Sequence, residues 1–542
     1  MKSNKIILAA SSLLLLCSCS DFLDKEPLVD MVAETYYSNS SEVNTAVLGA
    51  YSYIQTESYQ LSSFLVVGDD CSDDYDLGNE YSEAFGWFGS PCQQLQRFEA
   101  DYTNWVSSGL WSQAWSLINA ANTIIDRVEA NPELPEKCTH QYLGEAYFLR
   151  GFAYFFLCRQ YGGMPLADHV LSYEEYYMPR SSQADTWTFI EQCFSKAAEL
   201  LPKKSEMSSD ELGRATQGAA YAMLGKTCLY AKDYQGCADA LKQVIDSKEY
   251  QLETEFSDFF ALSHENGCES VFEIQQNTSG TGWSDSNEGS ILPFYEHDGC
   301  REYYAEWGYP DPQKYMHGWS MHCPTPDLVA EFEEGDPRLH KTIIFPGDMF
   351  DGRINKNLTS STGYQSKKWF TPWADRAPDE SDTPNNILFV RYADVLLMYA
   401  EALNELGKSS NALDYLEQVR ARARGGDNTV LPKVTTTSQT GLRDAIWHER
   451  RVELAGEGQR FWDICRQGRA AQLMKAFYNK YKDGIDVDYC VCDGDITKAT
   501  MTTIKWSTTK GRSFQEGVSE LCPIPQSAIS SSNNTFEQNP GY

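Results

Sequence analysis

Residues 215–248 read ATQGAAYAMLGKTCLYAKDYQGCADALKQVIDSK, and this stretch decides how the rest of the chain is interpreted. It divides into two helix-forming halves around Lys232-Asp233. Four apolar side chains of the second half recur at i, i+4, i+7 and i+8, which is one face of a helix: Cys237, Leu241, Val244 and Ile245. Two such helices joined by a short polar turn predict a helical hairpin.

The same stretch resembles a tetratricopeptide unit, in which small residues allow two helices to touch. Leu224-Gly225 match the leucine-glycine pair of that repeat, Tyr234 its turn aromatic, and Cys237 the small residue at the helix contact. Further hairpins are predicted at about 139–201, interrupted by a loop with Met164-Pro165, and at about 391–424. A weaker helix is predicted at about 111–131.

Hairpins of this kind cannot bury their apolar faces alone, so we expect them to stack into a right-handed scaffold. Residues from about 250 to 390 and from 470 to 542 are instead rich in Gly, Pro, Ser and aromatics, without a steady period. They predict a loop-rich second lobe packed on the helices. The predicted fold class is therefore mainly α.

The charge of the chain limits its partners. The 542 residues include 77 acidic and 45 basic ones, for a net charge of −32. Such a surface repels a phosphate backbone, so no nucleic-acid partner is expected. The apolar fraction of 42% argues against disorder.

The amino terminus reads as an export signal. Lys2 and Lys5 precede an apolar run over residues 6–16, which is too short to span a bilayer. The triplet before Cys19 resembles the lipobox of bacterial lipoproteins, in which the cysteine thiol is acylated. We therefore expect a signal peptide over 1–18 and a lipid anchor with a tether over 19–40. An ordinary cleaved signal is the alternative.

Charged residues near position 450 invite a catalytic interpretation. Glu449, Glu453 and Glu457 follow one another at i, i+4 and i+8, which places them on one face of a predicted helix, interleaved with Arg450. Because arginine stays charged and rarely acts as a base, this pattern favours an ion-pair network that fixes packing.

Several segments also follow one another in a characteristic order. They are Cys19–Asp24 with Pro27, Trp115–Ile125, Ala146–Arg150, Asp336–Arg338, Arg391–Ala402 and Glu449–Gly468. Together they resemble the SusD/RagB family of outer-membrane nutrient-binding lipoproteins, nearly from end to end.

The resemblance implies one SusD-like domain over 41–542 that binds glycans, or peptides in some members, without catalysis. It further implies delivery to a SusC-like TonB-dependent transporter, and a location at the outer membrane, held by a lipid and facing the exterior. No cofactor is implied.

The ligand residues are predicted from sugar chemistry. Aromatic rings stack on the apolar faces of a sugar, while carboxylates and amides bind its hydroxyls. Two segments, 69–87 and 283–319, supply such residues near where the ligand residues of the family arise. We expect Asp70 to accept from a hydroxyl and these aromatics to contact the ligand: Trp87, Tyr295, Tyr303, Trp307 and Trp319. The alternative is that the rings fill the interior of the lobe.

Other interpretations stay open at this point. The acidic residues between Asp69 and Asp76 have the oxygen ligands of a calcium site, although a solvated loop is favoured. A glycosidase with two carboxylates is possible in so acidic a chain, and so is a scaffold that only docks a partner protein. The aromatics clustered in the predicted loops favour ligand binding over the scaffold.

Overall fold

The computed structural model describes residues 36–56, 58–78, 89–277, 321–350, 353–354, 360–370, 383–491 and 500–542. Helices dominate these residues, which confirms the predicted mainly α fold. The α-helices are α1 Ser40–Tyr51, α2 Gly89–Gln96, α3 Trp105–Glu129, α4 Leu143–Tyr161, α5 Gln183–Leu200, α6 Gln217–Ala231, α7 Tyr234–Ser247, α8 Pro326–Glu331, α9 Leu339–Thr342, α10 Tyr392–Glu405, α11 Ser409–Arg424, α12 Gln439–Glu453, α13 Arg460–Arg466, α14 Ala470–Tyr481 and α15 Gln526–Ser531. A further helix with π-type hydrogen bonding covers Ser58–Asp70.

The predicted hairpins are present and stack on one another. Helix α3 packs on α4, α4 on α5, α5 on α6, α6 on α7, and α7 on α10, which pairs with α11. Helix α4 lies between α3 and α5 in this row and is buried on nearly every side. The stacking therefore buries faces that no hairpin could cover alone.

The helices of the α6–α7 hairpin touch at the small residues that the sequence marks. A Cβ added to Gly225 would lie 2.5 Å from Leu241 Cδ2, so a larger residue would require the Leu241 side chain to shift at this crossing. Cys237 is fully buried beside it. Between the helices Lys232 adopts φ 64°, and the Asp233 side chain caps α7 by accepting from the backbone N–H of Gly236.

Two elements differ from the sequence prediction. Helix α3 begins at Trp105 rather than near 111, because Asn104 Oδ1 caps it by accepting from Ser107 N at 3.1 Å. Helix α14 lies in a region predicted to be rich in loops. Its buried residues recur on one face, which is a helical signal that the aromatic and polar composition masked: Ala470, Met474, Phe477 and Tyr481.

The described strands form antiparallel pairs. The pairs are Tyr75–Asp76 with Cys323–Pro324, Ser270–Ile274 with Ile387–Arg391, Ile343–Ile344 with Gln365–Ser366, Met349–Phe350 with Arg353–Ile354, and Ile485–Val491 with Thr500–Trp506. Among the described residues, no helix is both long and apolar enough to cross a bilayer.

Candidate functional site

The two segments predicted to bind the ligand leave the described fold side by side. Strand Tyr75–Asp76 pairs antiparallel with strand Cys323–Pro324, and Asp76 lies opposite Cys323. The first segment continues beyond Asp76, and the second arrives at Cys323. Because the strands run in opposite directions, Asp76, where the chain leaves the pair, and Cys323, where it enters, lie at the same end of the pair. The fold thus brings together the bases of two segments that are far apart in the chain.

Arg451 links these two bases through one buried guanidinium. Its Nε donates to Asp74 Oδ1 at 2.7 Å, beside the first segment. Its Nη1 donates to Glu331 Oε2 at 2.7 Å and its Nη2 to Asp327 Oδ2 at 3.0 Å, both on helix α8 just after the second segment. The planar, forked donor set of arginine suits this bridging role.

The predicted aromatic ligand residues lie outside the described residues: Trp87, Tyr295, Tyr303, Trp307 and Trp319. Their contact with a ligand stays a prediction. What the structure places is the strand pair next to their segments in the chain.

Asp70 is described, and it is fully buried at the end of helix Ser58–Asp70. Neither carboxylate oxygen accepts a hydrogen bond from a described residue. Burial raises the pKa of the Asp70 carboxyl well above its usual value, although the nearby positive charges of His322 and Lys510 oppose this. A ligand hydroxyl could reach this carboxyl only if the covering residues moved. Its predicted role as an acceptor stays a prediction.

The prediction that the acidic segment is a solvated loop is wrong for its buried members. Asp73 accepts from Arg460 Nε at 2.8 Å and from Nη2 at 2.9 Å. Asp69 Oδ2 accepts from Gly458 N at 2.8 Å. Burial raises the pKa of Asp73, but Arg451 and Arg460 outweigh it and the pKa is lowered. These carboxylates are committed to arginine and backbone donors, which does not fit a calcium site.

The ion-pair network predicted on α12 is confirmed. Arg338 Nη1 donates to Glu449 Oε1 at 2.6 Å and to Glu453 Oε2 at 3.0 Å. Arg391 Nη1 donates to Glu453 Oε1 at 2.6 Å. All four side chains are buried. Burial raises the pKa of Glu453, but the surrounding arginines outweigh it and lower the pKa overall. The geometry is that of a structural network.

Glu457 departs from the predicted helix face. Helix α12 ends at Glu453, and Gly456 and Gly458 adopt φ 75° and 65°, which turns the chain out of the helix. Glu457 nevertheless joins the network, since it accepts from Arg391 Nε at 2.8 Å and from Lys368 Nζ at 2.7 Å.

One group in the described part of the chain has the spacing of metal ligands. Ligand atoms of Glu253, Asp258 and His264 lie within 4.8 Å of one another, and the three residues are half-buried. No second feature marks them as a metal site, so we assign none. The described cysteines are free thiols. Cys158, Cys228 and Cys237 are buried in the helical core, as expected for small apolar residues.

Sequence reasoning missed Arg451 and Arg460 as the partners of the acidic segment. Both lie within the Glu449–Gly468 segment that resembles the family, but their carboxylate partners are 377 and 387 residues away. The sequence signal that could have indicated these partners was the high density of arginines at and after the end of helix α12.

Comparisons with known proteins agree with this fold. A sequence model described as the SusD family matches residues 268–542, and one described as starch-binding associating with outer membrane matches residues 21–229. The chain is 28% identical over 497 residues to SusD-like protein P38 of Formosa agariphila, covering 85% of this chain and 91% of that protein.

Solved structures are similar over nearly the whole chain. A laminarin binding SusD-like protein is 25% identical, with a TM-score of 0.72, and the match covers 93% of this chain and 100% of that one. Surface glycan-binding protein A from Bacteroides thetaiotaomicron, in complex with laminarihexaose, has a TM-score of 0.71 at 20% identity, over 93% of this chain and 100% of that one. The latter likeness supports the fold alone. Since the SusD model matches half of the chain, the chain belongs to the SusD/RagB family.

Proposed function

We propose that this protein binds a glycan at the cell surface, without catalysis, and delivers it to a SusC-like TonB-dependent outer-membrane transporter. The ligand contacts are assigned to Trp87, Tyr295, Tyr303, Trp307 and Trp319, with Asp70 as a hydroxyl acceptor. Glycan binding is supported at the level of the family, since a solved relative is described as laminarin binding.

The pairing of strands Tyr75–Asp76 and Cys323–Pro324 carries the assignment of the site. The first segment includes Tyr75–Asp76, the second precedes Cys323 in the chain, and Asp76 and Cys323 lie opposite each other. A sugar needs rings for its apolar faces and polar groups for its hydroxyls, converging from more than one segment. The shared strand pair next to both segments supports such a convergence.

The proposed location at the outer membrane is based on the lipobox-like sequence before Cys19 and on the family to which the chain belongs. We assign acylation to Cys19, which would hold the acidic body at the outer membrane and face it outward. The description of the matching model, starch-binding associating with outer membrane, supports the membrane but not the lipid.

A binding screen tests the function. The purified protein is run through native gels that contain laminarin, starch, xylan or galactomannan, and a peptide library serves as the test of the peptide-binding alternative. Trp307→Ala and Trp319→Ala should each abolish retardation by the glycan that binds. Tyr478→Ala, a half-buried tyrosine of helix α14, is the matched aromatic control and should migrate like the parent.

Two results would contradict the proposal. Normal retardation of both tryptophan variants would place the site elsewhere. New reducing ends, released when the retained glycan is incubated with the protein, would show catalysis.

A further inference from the structure

An aromatic cleft is lined by described residues outside the two segments of the proposed site. It is formed by helix α3, the loop between α4 and α5, and the carboxyl-terminal residues 528–536, and it encloses about 490 Å³. That volume lies in the range of small-molecule sites. The described residues that line it belong to neither segment 69–87 nor segment 283–319.

The cleft offers ring faces. The ring centroid of Trp111 lies 6.1 Å from that of Trp115 and 6.2 Å from that of Phe536, which gives an aromatic floor. Tyr176 lines the rim and is 58% exposed. Tyr173 stands beside it, 70% exposed, with ring centroids 6.3 Å apart. Clustered exposed rings next to a cleft mark a binding surface, because a folded chain otherwise covers such area.

The polar groups of the cleft suit hydroxyls. Asn119 is exposed on the wall, and its side-chain amide makes no hydrogen bond to a described residue. His169 Nδ1 lies 2.7 Å from Asp168 Oδ1, and His169 Nε2 lies 3.1 Å from Glu175 Oε1. Because the carboxylates of Asp168 and Glu175 accept hydrogen bonds from the ring, they raise the pKa of His169. The two carboxylates are partly exposed and flank His169, which lines the cleft, although they do not line it themselves. They can accept further hydrogen bonds, and their negative charge disfavours an anionic ligand.

Buried contacts hold the loop wall in place. Arg150 Nη1 donates to Asn122 Oδ1 at 2.9 Å and to the carbonyl oxygen of Asp168 at 2.7 Å. Asn122 Nδ2 donates in turn to the carbonyl oxygens of Ala167 and His169, at 3.1 and 2.9 Å. A wall fixed before binding loses little conformational entropy when a ligand arrives.

The carboxyl-terminal wall is fixed in the same way. Arg180 Nη1 donates to the carbonyl oxygen of Glu537 at 2.8 Å, and Nη2 donates to Asn539 Oδ1 at 2.9 Å. The loop that carries Tyr176 is thereby tied to the segment that carries Phe536. The cleft is a preformed feature of the fold.

We propose that this cleft is a second glycan-binding site, selective for uncharged saccharides and independent of the site assigned above. A sugar ring lies on Trp115 and against Tyr176, while its hydroxyls bind the Asn119 amide and the carboxylates beside His169. Flat apolar faces, an unpaired amide and flanking carboxylates together match a neutral sugar better than an anion or an apolar peptide. Two sites on one protein would hold a long glycan more tightly than either alone.

Calorimetric titration tests this inference, with laminarihexaose, maltohexaose, cellohexaose and mannohexaose as neutral probes and polygalacturonate as the anionic comparator. The cleft variant is Asn119→Ala/Tyr176→Ala, because both residues are exposed and the fold should tolerate their loss. It is made in the parent and in the Trp307→Ala/Trp319→Ala background, with Tyr478→Ala as the aromatic control. Melting curves confirm that each variant is folded.

We expect at least one neutral probe to bind the Trp307→Ala/Trp319→Ala protein. Introducing Asn119→Ala/Tyr176→Ala into that protein should lower its affinity for the probe by about tenfold or more. Tyr478→Ala should leave the affinity unchanged. Unchanged affinity in the cleft variant, preference for polygalacturonate, or no binding of any neutral probe at millimolar concentration would overturn the second site. The second site would also be overturned if the cleft variant bound the saccharides normally but no longer bound the SusC-like transporter. Loss of binding in the tryptophan variants alone concerns only the first site.

Discussion

Glu453→Gln tests whether the buried network holds the fold together. Glu453 is fully buried on α12, and its carboxylate accepts from Arg338 Nη1 at 3.0 Å and from Arg391 Nη1 at 2.6 Å. Arg422 also donates to it. Glutamine keeps the shape of the side chain but removes the charge, so these three arginines lose a shared counter-charge in a site that water does not reach.

The expected change in the free energy of unfolding depends on how many carboxylate partners each arginine keeps. Breaking a buried ion pair by removing one partner destabilises a protein by about 3–5 kcal/mol. The loss here should be close to that of one pair rather than three, because each arginine keeps another carboxylate. The remaining partners are Asp336 and Glu449 for Arg338, Glu269 and Glu457 for Arg391, and Glu269 for Arg422. We expect the free energy of unfolding to fall by about 3–5 kcal/mol.

Urea unfolding followed by circular dichroism measures this change from the midpoint and the slope. Glu199→Gln is the matched control, because Glu199 pairs with Lys196 at 3.2 Å where both side chains are exposed, 66% and 44%. It should lower the free energy of unfolding by less than about 1 kcal/mol. Equal effects of the two substitutions would refute the structural role of the network.

The same variant gives a pH test. The pKa of Glu453 is lowered in the folded protein, where Arg422, Arg391 and Arg338 outweigh the effect of burial. Its stabilising contribution is therefore complete above the unfolded pKa of about 4.3, and it is lost as the pH falls toward the folded pKa. The difference in stability between the parent and Glu453→Gln should shrink on acidification below about pH 4. A difference that is constant with pH would contradict this assignment.

Three further changes have defined outcomes. Burial raises the pKa of Asp70, so the folded state holds a proton that the unfolded state loses above about pH 3.9. Asp70→Asn should therefore raise the melting temperature more at pH 8 than at pH 4, and the reverse order would contradict this. Gly68→Ala would bring a Cβ to 2.7 Å from the carbonyl oxygen of Gly458, so it should lower the free energy of unfolding by about 1–3 kcal/mol. Gly49 has open space around it, so Gly49→Ala should raise the free energy of unfolding by about 0.5–1 kcal/mol in the same urea assay. Cys19→Ala should move the protein from the membrane fraction to the soluble fraction, and an unchanged location would rule out the lipid.

The hairpins could be predicted from the sequence because their determinants are local. Gly225 and Cys237 lie within one hairpin, and the repeat of apolar residues reports which face is buried. The start of α3 was misplaced because the prediction followed the apolar repeat from Trp111 and passed over the cap at Asn104. A capping residue marks a helix start with a single position, whereas apolar periodicity extends over many residues and is easier to recognise.

The site was harder to predict because its partners are distant in the chain. Asp73 and Asp74 look like solvated acids until Arg460 and Arg451 are folded against them, more than 370 residues later. The cleft likewise combines Trp115 with Tyr176 and Phe536, from three separate segments. Composition marks such residues as candidates, but only the tertiary fold selects which of them meet.

The arrangement around Arg451 gives a physical reason for so many buried charges in this fold. Apolar side chains could fill the same space, and replacing a buried ion pair in that way often leaves stability unchanged or improved. Charge pairs differ in being directional. The guanidinium of Arg451 donates to Asp74 on one side and to Asp327 and Glu331 on the other, and its planar geometry favours one relative orientation of these carboxylates. That orientation sets where the two aromatic segments leave the fold. A sugar bound between two segments requires their spacing to be fixed within a fraction of an ångström, and a buried arginine can provide this where an apolar contact would allow sliding. We therefore interpret the network beneath the strand pair as the element that positions the proposed ligand site.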